Sequence, residues 1–320
     1  MAAFTLHLAF NPAANTKALF DGSVGVKNAE LKLESQFAEG LDNVGARHRK
    51  IIAGEFDGGE LSISSFILAR QRGMKLRALP VFLSRKFRHR CMYFSAASPL
   101  KDPSELSGKK ITVHRYNATT PVWLKGILQN EYGVKPASVE WIVAEPDIAE
   151  ESLRPPPPEI RVRLVSEPHT REHAVELVER GEIDAALEPY DTLATNPKLR
   201  RMFPDHRRAE EDFFRRNAVF PINHLFVLKE EVAARHPGVV EDILDAFKRA
   251  EAAADRYRGD KQKEEAAWER KVMGGPFEYS LNRGPARKSL ETLFTYQIQQ
   301  GISDKKPALE SLFFPEVLTV

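Results

Sequence analysis

One cysteine, Cys91, stands in a chain of 320 residues. An internal disulfide and a multi-cysteine metal site are thereby excluded, and the lone thiol reads as a small buried hydrophobe rather than a nucleophile. An excess of one charge is also missing. The 47 Lys and Arg nearly balance 45 Asp and Glu, for a net charge of +2, so no general field draws nucleic acid or an anionic membrane. No apolar run is long enough to span a bilayer. The opening MAAFTLHLAFNPAANTK has neither a cationic start nor a long apolar core. The expectation is therefore a cytoplasmic protein without signal peptide or membrane span, or a periplasmic one whose leader has been removed. G-x-G-x-x-G, G-x-x-x-x-G-K-[ST] and H-E-x-x-H are all absent, so nucleotide chemistry and zinc hydrolysis lack their signatures. No cofactor is expected; a divalent metal is left open.

What is present is ordinary globular composition, 42% hydrophobic and 29% charged, in a chain long enough for two domains of roughly 150 residues each. FTLHLAF (4–10) and ELKLESQF (30–37) alternate with strand period. Residues 42–53 fit a helix with Asp42 or Asn43 as its N-cap. EFDGGELSISSFILARQRG then passes from a turn through a strand into a helix, and LRALPVFLS (76–84) reads as a central strand. Strands alternating with helices predict a mostly parallel sheet covered on both faces. The pattern restarts at LSGKKITVHRYNATTPVWLKGILQNEYG (106–133), followed by the strand SVEWIVA (138–144), a stiff loop at 155–158 containing four prolines, and the amphipathic helix REHAVELVERG (171–181). FFRRNAVFPINHLFVLKEEV (213–232) reads as a chain returning to the first lobe, with helices after it, one at 286–299. The predicted division is a first lobe of 1–100 and 213–320 with 101–212 inserted as the second, and a ligand cleft between them.

Two stretches echo each other. AGEFDGGELS (53–62) and RGEIDAALEP (180–189) both leave a helix at Gly-Glu, continue with an apolar residue and Asp, and then place a Glu, Glu60 or Glu188. The match suggests two similar lobes; a common helix exit used twice is the alternative.

Several groups are candidates for chemistry. In PVFLSRKFRHRCMYF (80–94) the basic residues Arg85, Lys86, Arg88 and Arg90 and His89 follow an apolar strand. Ligands of open α/β sheets lie beyond the carboxyl ends of strands, and an arginine offers a planar fork to a carboxylate; a solvated turn is the alternative. Ser62, Ser64 and Ser65 precede or open a helix, as do Asn117, Thr119 and Thr120 ahead of Pro121, where hydroxyls and backbone N–H groups suit an anion. Tyr116 joins this second group, and Trp123 is either core or an aromatic wall. His224 lies in an apolar run, where a buried structural histidine and a proton donor are both open.

Taken together, EFDGGELSISSF (55–66), the segment 80–94, GKKITVHRYNATTPVWLKGILQNEYGV (108–134), VEW (139–141), GEIDAALEP (181–189) and FPINHLFVLKEEV (220–232) resemble the 4,5-dihydroxyphthalate decarboxylase family. Residues 145–170 and the last fifty lie outside the resemblance, and the glycine pair 58–59 and Tyr190 depart from it. The resemblance implies an α/β, two-lobed fold like that of type II periplasmic binding proteins, each lobe a mostly parallel sheet flanked by helices. It implies a small aromatic carboxylate as partner, no nucleic acid and no membrane, and leaves a homo-oligomer open. The mechanism that fits these residues is a cofactor-independent carboxy-lyase in which Arg85 and Arg88, with Ser64, Ser65 and Thr119, are expected to hold carboxylates. His89 or His224 then donates a proton, and Glu60 or Glu188 helps deprotonate a hydroxyl. A binding protein for a small carboxylic acid, without chemistry, is the second reading.

Overall fold

Apolar residues at every second position put FTLHLA and AELKLE into extended chain, one face of each turned to a core. The computed structural model describes residues 4–35, 44–146, 155–189 and 191–319; the expected cap at Asp42 or Asn43 and the departure at Tyr190 lie outside them. Among the described residues the strands are β1 (Phe4–Ala9), β2 (Ala29–Glu34), β3 (Gly58–Ser62), β4 (Leu76–Arg85), β5 (Met92–Ser95), β6 (Lys110–Val113), β7 (Glu140–Val143), β8 (Arg161–Leu164), β9 (Ala185–Leu187), β10 (Leu199–Arg201) and β11 (Ile222–Lys229). The helices are α1 (Lys17–Phe20), α2 (Val44–Ile52), α3 (Ile63–Gln71), α4 (Thr119–Tyr132), α5 (Arg171–Glu179), α6 (His206–Asn217), α7 (Glu230–Arg235), α8 (Val239–Ala252), α9 (Asp260–Met273), α10 (Ala286–Gln299) and α11 (Leu309–Leu312). No helix of the described residues is long and apolar enough to cross a membrane.

The chain forms two units. One comprises Met1–Arg85, Ile222–Arg287 and Pro307–Val320, the other Lys86–Pro221 and Lys288–Lys306. This differs from a division at 101 and 213. β5 pairs with β9 and β10 of the second unit, and α6 of that unit supplies Glu210 to Arg90. Residues 288–306 also belong to the second unit. Tyr296 lies edge-on to Trp123 with ring centroids 5.6 Å apart, and the Gln300 amide donates to the Val122 carbonyl at 2.9 Å.

In the first unit the sheet order is β2-β1-β3-β11-β4. β1 is parallel to β2 and β3, while β11 runs antiparallel to β3 and β4. LRALPVFLS is therefore at one end of the strand order, not central. Pro80, which has no N–H to give a ladder, is tolerated on such a strand. Register against β11 jumps there, from His224 opposite Ser84 to Phe226 opposite Leu79. The far side of β4 is covered by the C-terminal segment, whose Phe314 N–H donates to the Ala78 carbonyl. Phe10 anchors the core, meeting Phe20, Phe226 and Phe247.

The second unit has the order β10-β5-β9-β6-β7-β8, parallel from β9 to β8 with β5 antiparallel to β9. β7-β6-β9-β5 thus repeats β2-β1-β3-β11. The echo in sequence has a structural cause. The Asp57 N–H donates to the His7 carbonyl at 2.8 Å and its carboxylate accepts the His7 N–H at 2.9 Å. Asp184 treats Lys110 in the same way, at 3.0 and 2.9 Å. Asp57 clamps β1 just before β3 begins and Asp184 clamps β6 just before β9 begins, which decides between repeated lobes and a chance helix exit.

The glycine pair 58–59 also has a cause. A Cβ on Gly59 would lie 2.3 Å from the Ala9 carbonyl oxygen and 2.7 Å from Ile51, and one on Gly58 2.4 Å from the Val227 oxygen. Strands and helix close on β3 at the distance a bare backbone allows. Gly59→Ala is expected to destabilise by about 1–3 kcal/mol through overpacking, measured as a lowered urea midpoint. Gly25→Ala, where the space is open, should leave the midpoint in place. Equal midpoints for the two variants would show that the strands yield freely.

Candidate functional site

In the first unit, β3 carries a carboxylate through its interior. Glu60 is 6% exposed, between Gly59 and Leu61, and an unpartnered charge there would be costly. Helix α2 answers it. In GARHRKII, Arg47 and Ile51 share a helix face, and both are buried along with His48. Arg47 donates through Nη2 to Glu60 Oε2 at 2.9 Å and through Nη1 to Asn11 Oδ1 at 2.6 Å. The other carboxylate oxygen, Oε1, lies 2.7 Å from Nδ1 of His224, the residue of β11 in register with Ser62 of β3. His48 packs edge-on against the His224 ring at 5.3 Å.

Burial works against ionisation of Glu60, but Arg47, the His224 hydrogen bond and the charges of His224 and His48 outweigh it and hold the carboxyl down at about 2. An ionised carboxylate only accepts. Nδ1 of His224 is therefore the donor, and Nε2 is the nitrogen left to exchange protons. The His224 side chain is 20% exposed while that of Arg47 is 0% exposed, so the network opens outward at the imidazole. Ser62 caps α3: its Oγ accepts the Ser65 N–H and donates to the Ser65 hydroxyl at 2.8 Å. Ser64 is buried beside them.

The basic segment 85–90 splays onto separate partners. Arg85 donates to Glu251 at 2.9 Å and to the Phe82 carbonyl at 2.7 Å, and lies over Phe277 and Tyr279. The expectation that Arg85 waits for a substrate carboxylate is corrected: its carboxylate is Glu251 of its own unit. In the second unit Arg90 makes a two-pronged pair with Glu210, and Arg88 donates to the Pro189 carbonyl at 3.0 Å. His89 is 1% exposed and packs against Phe203 and Phe213. Burial, with Arg216, Arg90 and His206, pushes it down to about 3. As proton donor it is corrected too, because burial keeps the ring neutral and so without the imidazolium proton that a general acid gives up. Cys91 is buried and its thiol is pushed up by burial.

Elsewhere in the second unit, Glu188 follows β9 and accepts from Arg171 at the start of α5. Burial raises its pKa, against the pull of Arg171. His114, after β6, is driven well below its ordinary value by burial and by Arg115, Arg171 and Lys125. The first turn of α4 begins at Ala118, whose side chain cannot cap it; Asn117, Thr119 and Thr120 are buried there. Tyr116 and Trp123, by contrast, belong to the core. The Lys125 ammonium sits 3.0 Å above the Tyr116 ring centroid and donates to the Tyr116 carbonyl, and Trp123 is buried against Tyr296. Among the described residues no group of three or more His, Cys, Asp or Glu side chains is placed to hold a metal ion.

No protein-family model matches the chain. Two relatives decide what it resembles. One, from Comamonas testosteroni, is 29% identical over 262 residues, covering 79% of this chain and 77% of the relative. The other, from Pseudomonas putida, is 27% identical over 217 residues, covering 66% and 81%. The chain is similar to 4,5-dihydroxyphthalate decarboxylases. Among solved structures, the periplasmic aliphatic sulphonate binding protein of Escherichia coli superposes with a TM-score of 0.57 at 13% identity, over 97% of this chain and 92% of that one. A periplasmic sulfonate-binding protein of Methylobacillus flagellatus gives 0.59 at 11% identity, over 99% and 93%. At these identities the likeness concerns the fold alone, an α/β fold of the periplasmic-binding-protein kind, as expected.

The decarboxylase resemblance rested on segments that hold Glu60, Glu188 and His224, and the structure joins two of those three. Arg47, His48, Asn11 and Arg171 escaped the sequence reading. A signal for Arg47 was there: a charged residue on the apolar face of α2, one turn before Ile51.

Acid titration separates the two buried groups. Glu60, ordinarily at 4.5 and here at about 2, contributes stability that is complete above 4.5 and lost as pH falls through 2. His89, ordinarily at 6.5 and here at about 3, is protonated first in the unfolded chain, so stability drops as pH falls from 6.5 towards 3. Denaturant midpoints against pH should flatten over the upper window in His89→Leu and over the lower in Glu60→Gln. An unchanged upper limb in His89→Leu would mean that the ring titrates as it does in water.

Proposed function

We propose that the chain is a cofactor-independent carboxy-lyase that converts 4,5-dihydroxyphthalate, or a close hydroxylated aromatic dicarboxylate, to protocatechuate or its analogue. The similarity to two decarboxylases supports the reaction class, and one contact carries the mechanism: Nδ1 of His224 at 2.7 Å from a Glu60 carboxylate that stays ionised.

In this substrate each carboxylate is para to a hydroxyl. Ionising that hydroxyl pushes electron density onto the ring carbon that bears the carboxylate. A proton joins that carbon, the bond to the carboxylate breaks, carbon dioxide leaves, and the electron pair restores the aromatic ring. The ring is its own electron sink, so the protein has to supply a proton, stabilise the phenolate and hold the retained carboxylate. His224 is assigned the proton, given from Nε2 while Nδ1 stays on Glu60. Each turnover consumes one proton, and the exposed edge of the imidazole allows it to be replaced from water.

Of the carboxylates considered for hydroxyl deprotonation, Glu60 has both oxygens engaged, by Arg47 and His224. Glu188, whose pKa burial raises, is the more basic of the two carboxylates. With Arg85 committed to Glu251, Arg88, which also donates to the Pro189 carbonyl, is kept as the carboxylate-holding arginine, and Ser64, Ser65 and Thr119 keep the hydroxyl role assigned to them.

The test is incubation with 4,5-dihydroxyphthalate while substrate loss and protocatechuate appearance are followed together. Conversion is expected, and His224→Gln should cut turnover by about 10²–10⁴-fold while ligand binding persists. Tight binding by the unaltered protein with no conversion would overturn the enzymatic reading.

A further inference from the structure

Three ion pairs between arginine and a buried or half-buried glutamate can be compared. Arg90 closes on Glu210 with both prongs, Nε to Oε1 at 3.1 Å and Nη2 to Oε2 at 2.7 Å, and the Arg90 backbone N–H adds a third bond to Oε1. That carboxylate is used up by its partner. Arg85 places Nη2 on Glu251 Oε1, and Tyr279 donates its hydroxyl to Oε2 at 2.9 Å; the partner there is a phenol whose pKa burial raises. Arg47 behaves otherwise. It spends Nη2 on one oxygen of Glu60 and Nη1 on Asn11, just beyond β1, and leaves the other oxygen to an imidazole. A fully enclosed guanidinium is thus held at two points, by Glu60 of β3 and by Asn11 just past the end of β1, and the carboxylate between it and His224 cannot turn without breaking both of its bonds.

We propose that Arg47 is a positioning residue: by pinning Oε2 of Glu60 it fixes Oε1 as the acceptor of the His224 Nδ1–H and so presents Nε2 as the proton-exchanging nitrogen. The inference rests on His224 as proton donor, and it adds what selects the nitrogen. Groups facing the imidazole are Glu60 and His48, with Arg47 behind the carboxylate. Removing Arg47 frees Glu60 to rotate, and the imidazole then samples both neutral tautomers. A purely structural arginine would alter stability and leave the tautomer alone.

The experiment reads the tautomer directly, in the protein without substrate. Protein labelled with ¹⁵N in histidine is observed by long-range proton–nitrogen correlation above the imidazole pKa, with the His224 signals assigned by their loss in His224→Gln. The unaltered protein should show the single Nδ1–H form. Arg47→Gln should show a mixture with the Nε2–H form and a fall in kcat of about 10²-fold with KM little changed. Arg47→Lys, which keeps the charge but has no fork, should lie between. Asn11→Ala removes the second anchor without stranding a charge, and it decides the matter if neither Arg47 variant folds: a mixed tautomer supports the positioning role, a single Nδ1–H form overturns it. A folded Arg47→Gln protein that keeps the single Nδ1–H form also overturns it. If the unaltered protein shows no turnover, the decarboxylase reading fails while the tautomer result still judges Arg47.

Discussion

A carboxylate taken out of water inside a five-stranded sheet organises the first unit. Removing one partner of such a buried charge strands the other, a loss of several kcal/mol, so the elements that answer Glu60 are bound to one another through it. Helix α2 must dock with Arg47 inward, β1 must end so that Asn11 receives the second prong, and β11 must return from far along the chain with His224 in register opposite Ser62. The glycines before Glu60 let these elements approach. Stability and side-chain orientation meet in one ionised group, since the charge that the fold has to neutralise is also the charge that holds the imidazole.

The same framework is used twice, with different outcomes. Asp57 and Asp184 make the same two-bond clamp on the equivalent strands β1 and β6, and a glutamate follows each at the end of the echoing segment. Glu60, met by Arg47 and two histidines, is driven down, whereas Glu188, met by Arg171 in a site where burial dominates, is driven up. Carboxylates pushed in opposite directions by their surroundings are suited to different tasks. Divergence between the two repeats is legible in what each aspartate-led turn places next to its glutamate.

Much of the framework could be read in the sequence because it is local. Alternation marked β1 and β2, and the Gly-Glu-x-Asp echo marked the paired clamps. What could not be read is decided at long range. LRALPVFLS looked central because its apolar residues suit either position; the place of Pro80 in the register and the covering C-terminal segment are facts of pairing. The cluster 85–90 looked like one anion site because its charges are adjacent in sequence. A chain that leaves a strand and enters a tight turn sends neighbouring side chains in different directions, and Arg85, Arg88 and Arg90 found separate oxygens within the protein. Glu60 and His224 were both singled out, but nothing local said they would touch.

The hydrogen bond between Glu60 and His224 spans 164 positions, which has a consequence for how the protein is made. β1, β2 and β3 leave the ribosome early, and the strand that covers the open side of β3 follows only after the inserted unit. At typical elongation speeds the wait is roughly ten to thirty seconds. During that interval β3 offers an unpaired edge, the feature most prone to capture by another chain. Two glycines weaken that edge as a template, and a charged side chain pointing inward resists burial against a foreign strand. The glutamate that later binds His224 guards the nascent chain first.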